Sequence, residues 1–291
     1  MAVANVTEVS NAITLGNLIS AVGSPAFVKK SVMMNLMYTE NLPQNTNVVK
    51  FRKNGSLSAT NPVAESTAQS IGSGGELTDS SVTATAAKCA VVSGLSVEAE
   101  TFTNIDLSRL AQEQFASIAR AVDNDALSMA AGLSGTVTSA STLTVDDLML
   151  AQYTIYNGNC PNPEVMLAAV LGPKGVYAVK KDIIQSGAAA WSNPAMLSAF
   201  RGSGVQANGF IGSIPGVCDI YQTTGFGTSG GDDQQMLIHP MWCLAGIFAA
   251  SPLSLVVNQV SAGFYKEIGS YFLYDIVEWN DAAGILVSSD S

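Results

Sequence analysis

The sequence predicts an α+β chain in which a long β ribbon leads into one long helix, followed by a glycine-rich region that returns through an aromatic strand. Three observations carry this prediction. From Ala59 to Glu100 the residues are small, polar and mostly β-friendly. From Leu107 to Leu133 the apolar residues Ala111, Phe115, Ile118, Val122, Ala126, Met129 and Leu133 fall on one helical face. Near the C-terminus, "YKEIGSYFLYDIVEW" reads as one long strand rich in aromatic residues.

Residues 1–40 are expected to form an arm with modest helical patterning. Its opening, "MAVANVTEVSNAITLGNLISAVG", lacks the basic start of a secretion signal, so none is expected. Residues 41–100 read as the extended ribbon. "NTNVVKFRKNGSLS" begins a strand and ends in an Asn54-Gly55 turn signal, and Ser73 to Glu76 reads as a loop tip. The return segment "SVTATAAKCAVVSGLSVEAE" pairs back near Phe51. An isolated two-stranded ribbon is marginal in water, and this one has few large apolar residues, so it needs a neighbour.

Residues 101–135 hold the long helix, with Asp106 as N-cap and Gly135 as stop. At ~1.5 Å per residue it approaches about 40 Å, the length of a strut. Gln112, Glu113, Arg120, Asp123 and Asn124 are placed on its polar face. In residues 136–185, Thr144 caps a second helix with Asp147 at its third position, Leu143 staples to Leu148, and Gly158 ends it. "PEVMLAAVLG" is an apolar strand, and "GPKGVYAVKKDII" is a helix.

The composition shifts near Gln185. Residues 186–250 are rich in Gly, Ser and Asn and read as a second, loop-rich domain with a short helix and small strands. Residues 251–280 supply return strands to the first domain, and 281–291 supply a final strand to the second. Within an uncharged span, "MWCLAGIFAASPLSLVV" is broken by Ser251, Pro252 and Ser254. It reads as strand, short buried helix, then strand, not as the ~20 unbroken apolar residues of a membrane span.

Charge narrows the function. Charged residues make up 12% of the chain, about half the usual ~25%, which favours a surface hidden against other copies. The net charge of −10 argues against gripping nucleic acid, which needs Lys and Arg to displace counterions. Residues 1–53 carry a balance of +3 and the remainder −13, so a basic arm bearing Lys29 and Lys30 can dock on a neighbour's acidic body, and a solvated terminal segment fits the same charge balance.

The candidate chemistry is thin. Cys89, Cys160, Cys218 and Cys243 are isolated and lack zinc-ligand spacing, so no metal is expected. "GFGTSG", from Gly225 to Gly230, fits a phosphate-loop pattern, but a turn and strand follow where a helix is required. His239 lies in apolar "MLIHPMWC" and reads as a strand-end or core histidine. Asp146-Asp147 is explained by capping and Asp232-Asp233 by a loop. No catalytic residue and no cofactor is assigned.

The element order, together with particular stretches, resembles the HK97-fold major capsid proteins of tailed double-stranded DNA bacteriophages. "PVAEST" and "SSVTATAAKCAVVSGLSVEAE" resemble the extended loop and its return strand, and "LSRLAQEQFASIARAVDNDALSMAAGLSG" the spine helix. "PEVMLAAVLGPKGVYAVKKD" resembles the peripheral domain, and "NGFIGSIPGVCDIYQTT" the axial domain. The resemblance covers roughly residues 25 to 291. It implies a structural subunit, not an enzyme, that forms hexamers and pentamers of an icosahedral head. That head encloses DNA without reading its sequence, is assembled in the host cytoplasm, and involves no membrane.

The resemblance further implies that the ribbon reaches over the adjacent subunit. Arg52, Lys53, Glu65, Glu76 and Asp79 then set register with a neighbour, whose Lys174, Lys180 and Lys181 are the expected partners. No charged scaffolding segment is visible at the N-terminus, so a separate scaffolding protein is expected, alongside a portal and a decoration protein. No lysine lies between Lys53 and Lys88, so the lysine–asparagine cross-link of some members is not expected. An encapsulin-type compartment shares the fold and stays open as an alternative. From other classes, so do a carbohydrate-binding β-rich module and a hydrolase using Asp or Glu pairs.

Overall fold

The computed structural model describes residues 31–43, 45–54, 79–96, 107–139, 141–158, 165–185, 209–226, 228–229, 232–249, 253–260 and 265–290. In chain order the strands are β1 (Tyr38–Asn41), β2 (Val48–Asn54), β3 (Asp79–Thr85), β4 (Ala87–Ser96), β5 (Thr136–Ser139), β6 (Leu167–Leu171), β7 (Phe210–Ile214), β8 (Cys218–Gln222), β9 (Thr228–Ser229), β10 (Asp232–Ile238), β11 (Leu244–Phe248), β12 (Leu253–Val260), β13 (Tyr265–Glu278) and β14 (Gly284–Asp290). The helices are α1 (Leu107–Ser128), α2 (Val145–Asn157) and α3 (Pro173–Gln185).

The long helix forms where the apolar stripe requires it. Phe115, Ile118, Val122 and Ala126 are fully buried, and the helix tightens into a 3₁₀ turn over Met129–Gly132 before the chain extends at Leu133. Its buried face meets a five-stranded sheet centred on the aromatic strand. β13 pairs with β4 along one edge, while β11 and β12 share the other. β1 completes this sheet by a parallel pairing to β11.

A seven-stranded sheet, ordered β5-β14-β10-β6-β8-β7 with β9 beside β10, forms the second layer. On one face α2 and α3 bury Leu148, Ile155, Val179 and Ile183 against it. Ala168, Val170, Met236 and Ile238 on the other face join the core around α1. The Thr144–Asp147 capping box closes the start of α2 from both sides. The β7–β8 hairpin turns at Pro215-Gly216, where Gly216 has φ +78° and Val217 N–H donates to Ile214 O at 3.0 Å. This is a type II turn, whose third position favours glycine.

Several expectations change. The boundary placed between 136–185 and 186–250 does not separate two sheets, because Leu167–Leu171 pairs in parallel with Cys218–Gln222. The short buried helix expected after Trp242 is strand β11, held between β1 and β13; five apolar residues have no period that distinguishes the two. Asp232 and Asp233 open strand β10 rather than a loop. Asp123, placed on the polar face of the helix, is only 5% exposed. The arm before residue 31, the ribbon from 55 to 78 and the short helix expected after 185 lie outside the described residues.

Candidate assembly surfaces

The ribbon is rooted by one face. β2 and β3 pair antiparallel, with Phe51 opposite Val82, so alternate residues face opposite sides. Val49, Phe51 and Ala84 point inward and pack on Ala245 and Ile247 of the five-stranded sheet. Val48, Lys50, Arg52, Ser81, Thr83 and Thr85 face solvent. At Ala86 the return strand changes partner, from β2 to β13, as its N–H donates to Asn47 O at 2.7 Å.

Side chains from distant parts of the chain fix this root. Trp279 Nε1–H donates to Arg52 O at 3.2 Å, and Thr85 N–H donates to Asp275 Oδ2 at 2.6 Å. Trp279 also stacks on Trp242 at 5.4 Å and lies 5.2 Å from Tyr38. Tyr38 meets Phe51 edge-on at 6.0 Å. The aromatic residues therefore brace the β2–β3 pair, since such pairs add stability beyond their burial.

Polar groups tie α1 to its surroundings. Asp123 accepts from Ser31 Oγ at 2.7 Å, Val32 N–H at 2.9 Å and Met33 N–H at 3.0 Å, fastening the arm's root to the helix. Burial pushes its carboxyl up, against the pull of those donors. Gln114, 2% exposed, accepts from Ser270 Oγ at 2.7 Å and donates to Ser93 Oγ at 2.9 Å. Tyr274 donates to Asp125.

The charged residues singled out in the sequence are dispersed. Arg52 is exposed on the ribbon beside half-buried Lys53; burial and then Asp281 push the Glu278 carboxyl up, against a weaker downward pull from Lys53. Lys174, on α3, lies 3.2 Å from Asp233 of its own chain. Lys180 is half-buried and Lys181 exposed on the same helix. Asp79 pairs with Asn54 at the described end of the ribbon. Lys29, Lys30, Glu65 and Glu76 lie outside the described residues.

The other reactive groups are buried or half-buried. His239 is 1% exposed and its Nδ1 lies 2.8 Å from Pro240 O. Burial pushes the Cys218 thiol up to about 12 and also raises that of Cys89, which keeps both from the thiolate form that nucleophilic attack requires. Among the described residues no three His, Cys, Asp or Glu side chains gather to hold a metal. No helix among them is long and apolar enough to cross a membrane.

No family model matches the chain, and no curated protein matches it by sequence. Solved structures do match. The capsid of a native GTA particle gives a TM-score of 0.68 at 12% identity over 90% of this chain and 91% of that one. The capsid of Ralstonia phage GP4 gives 0.67 at 11% identity over 90% and 92%. The SrpI encapsulin complex of Synechococcus elongatus gives 0.59 at 10% identity over 89% and 87%. The fold is therefore that of a shell protein. More particularly, it is the HK97-type fold common to phage capsids.

Proposed function

We propose that the chain is a major capsid protein whose copies join into hexamers and pentamers and close an icosahedral virus head around double-stranded DNA. One observation carries the reading: the likeness to the GTA capsid subunit extends over 90% of this chain and 91% of that one. The ribbon supports it, since β2 and β3 form a separate two-stranded sheet with a solvent-facing side. The net charge of −10 suits a wall that encloses DNA without gripping it.

In this reading α1 with the five-stranded sheet is the peripheral unit, and the seven-stranded sheet is the axial unit, which takes in β5, α2, β6 and α3 of the 136–185 segment that the resemblance had given to the peripheral domain. The charged residues of arm and ribbon act between copies, not in catalysis, and no cofactor takes part. The chain works in the virion after assembly in the host cytoplasm, with a separate scaffolding protein, a portal and a decoration protein as partners. The SrpI match favours a second reading, an encapsulin-type compartment.

Expression of the chain alone, and then with its neighbouring genes, tests both readings by sedimentation and negative-stain microscopy. Closed shells are expected. DNA inside them supports the virus head, and a protein cargo supports the compartment. A monodisperse monomer under both conditions overturns the shell reading.

A further inference from the structure

The β2–β3 pair meets the five-stranded sheet at a seam that no strand pairing crosses among the described residues. On one side Val48–Asn54 pairs along its length with Asp79–Thr85. On the other Ala87–Ser96 pairs with β13. Ala86 alone joins β3 to β4, and its N–H donates to Asn47 O at 2.7 Å, on the ribbon side. The second connection, from β1 to β2, passes through Asn45, Thr46 and Asn47, all exposed. Ladder hydrogen bonds hold each sheet together internally, so local opening concentrates where the ladders stop.

Two hydrogen bonds bridge this seam, and both come from one line of residues. Asp275 takes the Thr85 N–H, and Trp279 gives its indole N–H to Arg52 O. Positions 275, 277 and 279 share one side of the extended chain, and Val277 and Trp279 pack there with Val49, Phe51 and Ala84. Thr85 stands opposite Val48, and Arg52 opposite Ser81. The two attachment points are therefore four residues apart along the ribbon, roughly 13 Å of extended chain. Asp275 and Trp279 have the same separation. Both are held from behind. Asp275 Oδ1 accepts from Ile276 N–H at 3.0 Å. Trp279 N–H donates to Cys243 O at 2.9 Å, and its ring contacts both Tyr38 and Trp242. Two bonds so spaced on a two-stranded lever fix its angle, which neither fixes alone.

We propose that Asp275 and Trp279 are positioning residues for the ribbon. Together they form a two-point catch that holds the β2–β3 pair at one angle to the five-stranded sheet, and when the catch opens the pair turns as a unit about Ala86. The catch follows from the geometry of the seam, and its use rests on the capsid reading. Rings of five and six copies close with different rotations, so one subunit that serves in both must present its ribbon at more than one angle. Two hydrogen bonds, each contributing modestly, favour one angle without forbidding another.

Hydrogen exchange of the unassembled full chain, resolved by residue with NMR, tests the catch. In W279F the Thr85 amide keeps its own acceptor, yet its exchange is expected to rise about fivefold or more, because the two bonds open together. D275A should speed exchange of the Trp279 indole N–H in the same way, and D275N, which keeps an acceptor oxygen, should restore it. Amides of the β2–β3 ladder should stay protected in every variant. Unchanged Thr85 exchange in W279F makes the two bonds independent and overturns the proposal. Loss of protection throughout β2 and β3 means melting instead of turning and also overturns it. So does a loss that reaches β10 and β14, which would assign Trp279 to overall stability. In microscopy, W279F shells are expected to vary in diameter where wild-type shells are uniform, and equally uniform W279F shells overturn the role in assembly. A wild type that never assembles overturns the capsid reading, and the exchange series then decides the catch by itself.

Discussion

The core around α1 and the core beneath α2 and α3 are closed by different means. Beneath α2 and α3 the seal is almost wholly apolar, with Leu167, Ala169 and Leu171 of β6 buried in it. Among the described residues its buried amide, Gln235, reaches only Ser289, at 3.3 Å, and Gln235 Oε1 has no hydrogen-bond partner. Around α1, by contrast, the buried polar groups are matched to donors and acceptors. Asp123 takes three donors from the arm, and Gln114 joins β4 to β13. Apolar burial is non-directional, so it can hold a layer closed without fixing how long segments are aligned. Directed hydrogen bonds can fix that alignment, and they occur where the arm, helix and ribbon-bearing sheet meet.

The most direct way to break the comparison is to remove the apolar part of each core. Phe115 is fully buried in the core that both sheets share, and Leu148 is 1% exposed in the core that only one sheet uses. Phe115→Ala is expected to destabilise by about 3–5 kcal/mol and Leu148→Ala by about 2–5 kcal/mol. Hydrogen exchange separates them. Phe115→Ala should lower amide protection in both sheets, and Leu148→Ala chiefly in the seven-stranded one. Equal loss in both sheets from Leu148→Ala would make the two cores a single unit.

Removing Asp123 should have the next largest effect. Asp123→Ala leaves Ser31, Val32 and Met33 without their acceptor, at a cost of about 3 kcal/mol. Its pH dependence has a definite sign. Because the folded carboxyl titrates above its ordinary value, the folded chain holds the proton at a pH where the unfolded chain has lost it. That contribution to stability is complete below the unfolded value and is lost as pH rises through the folded one. Denaturant unfolding at a series of pH values should therefore show wild type losing stability relative to Asp123→Asn from acid toward neutral pH. The opposite slope would mean that the three donors outweigh burial.

These regions also differ in how far the sequence foretold them. The stripe from Phe115 to Ala126 and the Thr144–Asp147 cap follow local rules, and both are present. The described root of the ribbon, β2 paired with β3, was legible from composition, because small β-branched residues with no core of their own indicate a strand pair that needs support; that Ala87–Ser96 leaves this pair for β13 was not. Asp123 was not legible, because spacing alone sets it beside exposed Glu113 and Asn124, and its partner Ser31 lies 92 positions away. Trp279 finds Arg52 across 227 positions. The composition shift near Gln185 marked a change in loop content, which does not report which strands pair.

The smallest effect sharpens the contrast most. Gln235 and Ser289 are both buried, 1% and 3% exposed, and satisfy each other only in part. Replacing one member of a buried pair strands the other, whereas replacing both with apolar groups of similar shape is nearly neutral or stabilising. The double variant Q235M/S289A is therefore expected to leave stability unchanged or raise it by about 1 kcal/mol in denaturant unfolding. The equivalent replacement around α1, Q114M with S270A, also strands Ser93, which receives the Gln114 amide, and should destabilise by about 1–2 kcal/mol. Opposite signs would establish that polar groups align segments in one core and are incidental in the other. Equal losses would mean that the Gln235–Ser289 pair also helps to set strand register, where β10 runs beside β14.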